Sequence, residues 1–119
     1  MHHKIDAFIR ILLIELEDID SDIKMLIDKY NRDHENEKIS NYVFKENIAL
    51  AHNELFGVEG LYEQVKEFRP EDFKSVDDVI SKIDDKLDIL CRKKGYVRSI
   101  CVLVKRKTDK VLRYIEEKY

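Results

Sequence analysis

Apolar residues recur at Ile5, Phe8, Leu12, Leu16, Ile19, Ile23, Leu26 and Tyr30, in steps of three and four with no glycine or proline between them. That spacing places them on one face of an α-helix and predicts a helix over residues 4–30. The polar stretch NRDHENEKI follows. A second seam then runs through Phe44, Ile48, Ala51, Leu55, Val58, Tyr62 and Val65, predicting a helix over 41–69 with Ser40 or Asn41 as its N-cap. Gly57 and Gly60 sit inside this seam without shifting its phase, so they mark either close packing or a hinge. Pro70 ends the helix, because the residue before a proline is pushed out of the α region.

Ser75, with Asp78 three residues on, gives a capping-box-like start to a third helix over 75–94, carried by Val76, Val79, Ile80, Ile83, Leu87 and Leu90. Gly95 after Arg92, Lys93 and Lys94 signals its C-terminus, where cations face the negative end of the helix dipole. The last seam, Val97, Ile100, Cys101, Val104, Thr108, Val111 and Ile115, predicts a fourth helix over 96–117. Its β-branched run VRSICVLV would also suit a strand, but no second strand-like run exists to pair with it. Four amphipathic helices with short connections predict an all-α fold: one domain over 1–119, a four-helix up-down-up-down antiparallel bundle. Composition agrees, since three glycines and one proline in 119 residues leave too few turn residues for a sandwich.

Two segments carry more apolar surface than a single stripe. FIRILLI, residues 8–14, is apolar at six of seven positions, and ICVLV, residues 100–104, at every position. A helix that is apolar all round is buried all round. If each bundle helix has one inward face, the excess calls for a second copy of the chain, and a homo-oligomer is expected. Its self-association surface would hold Phe8, Ile9, Ile11, Leu13, Val102 and Leu103. The alternative is a packing in which one helix is central.

Charge changes the picture at the C-terminal end. Residues 1–91 carry 12 Lys/Arg against 22 Asp/Glu, whereas residues 92–119 carry 10 against 3. A basic fourth helix either packs beside acidic ones or offers a surface to an acidic partner. On a helical projection Arg106, Lys110 and Arg113 form one outward stripe, the candidate contact for such a partner. No aromatic residue interleaves the stripe to stack bases, and the chain is acidic overall at −3, so nucleic-acid binding is the weaker reading.

The chain holds few combinations that carry chemistry. Its histidines, His2, His3, His34 and His52, make no His-x₃-His or Glu-x-x-His pair, so no transition-metal site is expected. Glu15-x-x-Asp18 resembles one Mg²⁺-binding element of helical nucleotide pyrophosphatases, and Asp77, Asp84 and Asp88 share a helix face. All lie where solvated carboxylates belong, away from a sheltered pocket. No nucleophile–base set or glycine-rich phosphate loop is present, and no histidine follows His52 to give the late-helix Arg followed a few residues on by His that helical ribonucleases carry. A lone histidine on a helical bundle resembles the phosphate carrier of histidine-phosphotransfer domains, which would make His52 the phosphoacceptor. In that family a lysine and a glycine follow closely, whereas here Asn53, Glu54, Leu55 and Phe56 follow, and Glu54 would repel a phosphate.

No apolar run is long enough to span a bilayer and none reads as a secretory leader, so a cytoplasmic protein is expected, with both thiols free in a reducing compartment, although Cys91 and Cys101, equidistant from residue 96, would face one another in a tight hairpin. The expected function is non-enzymatic and needs no cofactor. The chain would act through protein–protein contacts as an adaptor, regulator or subunit, with self-association and an unidentified protein partner. Phosphotransfer at His52 and nucleic-acid binding by the fourth helix are the alternatives.

Overall fold

The computed structural model describes residues 2–93 and 98–119. It is an all-α four-helix bundle: α1 His3–Glu35, α2 Asn41–Lys66, α3 Val76–Lys93 and α4 Arg98–Lys118, with a single 3₁₀ turn at Pro70–Asp72. Among the described residues there is no strand. α1 packs along α2 on one flank and α4 on the other, and α3 closes the bundle against α2 and α4. The turn expected at Gly95 and the seam position Val97 lie outside the described residues.

The helix boundaries follow local chemistry. Ser40 caps α2, its Oγ accepting a hydrogen bond from the Val43 amide at 3.2 Å. Ser75 caps α3 by accepting from the Asp78 amide at 3.2 Å. Asp78 reaches back to accept from the Lys74 amide at 3.0 Å, one residue earlier than in the usual capping box. Arg69 is extended at φ −111° and ψ 127°, as a residue before proline must be, and the Glu67 and Phe68 amides bond only three residues back, to Gln64 at 3.2 Å and Val65 at 3.0 Å, so α2 ends at Lys66 rather than 69.

α1 runs five residues beyond its predicted end. Glu37 supplies the left-handed residue that stops it, at φ 59°. The Lys38 amide returns to the Asp33 carbonyl at 2.8 Å and the Glu37 amide to His34 at 3.1 Å, satisfying the last carbonyls of the helix.

The core is continuous and drawn from all four helices, with Phe8, Leu12 and Leu16 of α1, Val58, Leu61 and Val65 of α2, Val79 and Ile83 of α3, and Val104, Val111 and Ile115 of α4 almost fully enclosed. Thr108 is buried among them and donates its hydroxyl to the Val104 carbonyl at 2.9 Å, so its one polar atom is satisfied within α4. Phe73 seals the lower end beside Phe68, ring centroids 5.2 Å apart, and the Lys82 ammonium sits over both rings.

Most of the excess apolar surface of FIRILLI is consumed inside the chain, with Ile14 left 55% exposed. Phe8 and Ile9 are core residues, and Ile11 and Leu13 are half-buried against the core. The expectation that Phe8 and Ile9 help form a self-association surface is therefore corrected: flanked by α2 and α4, α1 has the wide buried sector of a central helix.

α1 is also longer than its partners. Its 33 residues span about 50 Å and the 18 of α3 about 27 Å at the α-helical rise. Burial in α1 ends at Ile23, and in α2 it begins at Ala51. Residues 24–50 thus form a two-helix arm projecting beyond α3 and α4, which accounts for the 56 Å long axis of the molecule.

The helix passes through both glycines unbroken, so neither marks a hinge. Gly57 is buried and helps line a void of about 10 Å³ with Leu61, Leu87, Leu90, Ile100 and Val104, between α2 and the α3–α4 pair. Gly60 differs, because a Cβ built there meets nothing within 4 Å and its φ is not in the left-handed region. Gly60→Ala is expected to raise stability by about 0.5–1 kcal/mol, measured by urea denaturation, because it lowers the backbone entropy of the unfolded chain at no steric cost.

Candidate interaction surface

The apolar pattern of α2 does not end where its cover ends. Val43, Leu50, Gly57 and Leu61 fall on one flank of the helix, at spacings of seven, seven and four. Below, Gly57 and Leu61 on this flank are buried against residues of α3 and α4. Above, Val43 is 40% and Leu50 49% exposed. α1 behaves in the same way: Leu12 and Ile19 are buried, while Leu26, one heptad on, is 38% exposed and Tyr30 is half-buried. The Ser99 hydroxyl donates to Glu54 at 3.1 Å, marking the level at which α4 begins beside α2. Leu26, Tyr30, Val43 and Leu50 therefore make an apolar face on the arm, on the side that α3 and α4 cover lower down.

The arm itself is well pinned. The His34 ring stacks on Phe44 with centroids 4.0 Å apart and planes 10° from parallel, and its Nε2 hydrogen-bonds Asn41 Oδ1. Ile27 and Ile48 lie half-buried in the arm. At the root, the Tyr62 hydroxyl donates to Glu17 Oε1 at 2.7 Å, a bond that raises the phenol pKa and ties α2 to α1.

Of the remaining residues proposed for self-association, Leu103 is half-buried and Val102 is 46% exposed. The six residues therefore do not form one face.

The basic stripe is divided as well. Lys110 binds Glu15 on α1 at 3.0 Å and Lys107 binds the same carboxylate at 3.3 Å, while Arg106 and Arg113 remain exposed. Glu15 is the most enclosed acid among the ion pairs of the described residues, its side chain 14% exposed. Burial pushes its pKa up, but the hydrogen bonds and charges of Lys110 and Lys107 outweigh it, so the carboxyl titrates below its ordinary value of 4.5. The pairs Asp6–Arg10, Asp20–Lys24 and Asp88–Arg92 are local i,i+4 contacts that contribute little.

His52 is exposed on α2. On a helical projection Glu59 and Glu63 follow it on the same outer face, adding negative charge where a phosphoryl group would need a cation. An open groove of about 290 Å³ between α1 and α2 is lined by Glu17, Asp20, Glu59, Tyr62 and Glu63. Among the described residues no three His, Cys, Asp or Glu side chains converge to hold a metal ion. No described helix is long and apolar enough to cross a membrane.

Cys91 on α3 and Cys101 on α4 are joined as a disulfide, their Cα atoms 6.8 Å apart. The expectation of two free thiols is corrected. Cys91 near the end of α3 and Cys101 in the first turn of α4 face each other across the two helices, whereas a single continuous helix would hold them about 15 Å apart.

Comparison with protein-family models, curated proteins and solved structures returned no match for the chain.

Two outcomes follow from these pairs. A carboxyl whose pKa is lowered by folding stabilises the protein above its unfolded pKa, and that stability is lost as pH falls through the folded value. The melting temperature of wild type should therefore fall more steeply than that of Glu15→Gln as pH drops below about 4.5, followed by circular dichroism. Cys101→Ser should cost about 3 kcal/mol in urea denaturation without reductant, the loop-closure estimate for a separation of 10 residues, and reduction of wild type should give the same loss.

Proposed function

We propose that this chain is a non-enzymatic helical module that acts through protein–protein contacts, as an adaptor, regulator or subunit, and that it self-associates. The observation that carries this reading is the projecting arm of residues 24–50, which presents Leu26, Val43 and Leu50 on the flank that α3 and α4 bury lower in the bundle. Large apolar side chains held on a rigid helical pair favour an incoming helix, because the burial adds to the hydrophobic effect with little ordering cost. The alternatives are less well supported. The acidic-partner stripe gives up Lys110 to Glu15, and His52 lies among carboxylates.

The test is site-specific photo-crosslinking in the native cell. A photoreactive side chain at position 50 should yield a protein adduct that Val43→Glu suppresses. The same group at Ile89, equally exposed on α3, should not. Equal labelling from both positions, or none from position 50, would remove the reading.

A further inference from the structure

We infer that the arm face is completed by the arm of a second copy of the chain, in an antiparallel two-fold pair; this rests on the contact reading above and names its partner. Three observations point to a second copy.

The first is continuity with the core. Leu12–Ile19–Leu26 on α1 and Leu61–Gly57–Leu50–Val43 on α2 are single flanks, buried in the body and uncovered in the arm. Among the described residues, what is missing at the level of the arm is a pair of helices in the place that α3 and α4 hold below. The arm is itself a pair of helices, of equal height to the gap it leaves.

The second is charge. Residues 24–50 carry five basic and five acidic side chains, whereas residues 3–23 carry two against six. Two arms can therefore meet without net repulsion, and two of the acidic α1 bodies could not.

The third is steric. α3 and α4 lie on the same side as the exposed face, so a parallel pairing would drive the two bodies into one another. Turning one copy end for end removes the clash, sets α1 against α1 and α2 against α2, and places each arm over the described ends of the partner's α3 and α4. The operator is an isologous two-fold, in which Leu26, Val43 and Leu50 of each copy meet the same residues of the other. A partner contributing a single helix would leave half of the face open.

The experiment is size-exclusion chromatography with light scattering on the full chain, from micromolar to submillimolar concentration and with constant reductant, alongside Leu50→Glu, Val43→Glu and Phe56→Glu. Phe56 is 62% exposed on the opposite side of α2 and serves as the surface control. Wild type should reach twice the 14.2-kDa chain mass. Leu50→Glu and Val43→Glu should each weaken the dimer at least about tenfold, because each buries an unpaired carboxylate, while Phe56→Glu leaves it intact. Because these positions are exposed in the single chain, all three variants should retain the helical circular-dichroism signal and melting temperature of the monomer. A wild type that stays monomeric throughout overturns the pairing, as does a dimer that survives both arm variants or is lost equally in Phe56→Glu. A monomer whose position-50 crosslinker still captures a different protein overturns the self-pairing alone. A monomer with no adduct overturns the contact reading with it.

Discussion

A helix that is apolar over more than one stripe has to be covered from more than one side, and α1 between Ile5 and Ile23 is such a helix. Its central line, Phe8, Leu12, Leu16 and Ile19, faces the core. Ile9 and Leu13 lie on the projection toward the α2 side, and Ala7 and Ile11 toward the α4 side. The antiparallel bundle supplies both covers, because a last helix returning beside the first closes the ring. Once α1 is clasped in this way the remaining order follows. α2 and α4 are fixed relative to each other, and α3 is held between their far sides. The acidic excess of the first helices then meets the basic excess of the last at one point, where Glu15 takes Lys107 and Lys110 together.

The same clasp is incomplete by construction of the chain. α1 and α2 outrun α3 and α4 by several turns, and the residues beyond the overlap keep the apolar pattern of residues within it. A seam that stays apolar after its cover has ended is a different signal from scattered surface leucines, which are ordinary. The charge of the arm is evenly mixed, and His34 stacked on Phe44 ties its two helices together at the tip. The proposed function rests on that mismatch in length.

Much of the fold was legible in sequence because it depends on periodicity. The steps of three and four identified the seams, and Ser40, Ser75 and Pro70 gave starts and stops whose chemistry is local. The end of α1 was not legible, because Glu37 occupies a left-handed position that normally announces itself as glycine. Phe8 and Ile9 were expected on a self-association surface for a different reason. Periodicity counts how many faces of a helix are apolar but not how many neighbours will cover them, and Phe8 and Ile9 went to the core. The candidate face itself was half visible: Leu26 belonged to the expected seam of α1. Val43 and Leu50 were passed over, since they sit one flank away from the seam of α2.

By itself, the sequence determined the class of fold, the four helices and the residues of their seams, all of which follow from spacing along one chain. Only the tertiary structure decided which apolar faces are spent internally, that Lys110 is tied to Glu15, and that an arm is left uncovered at one end. Each of these depends on where a second helix begins and ends beside the first. Such a relation between distant segments has no period, so no pattern along the chain carries it.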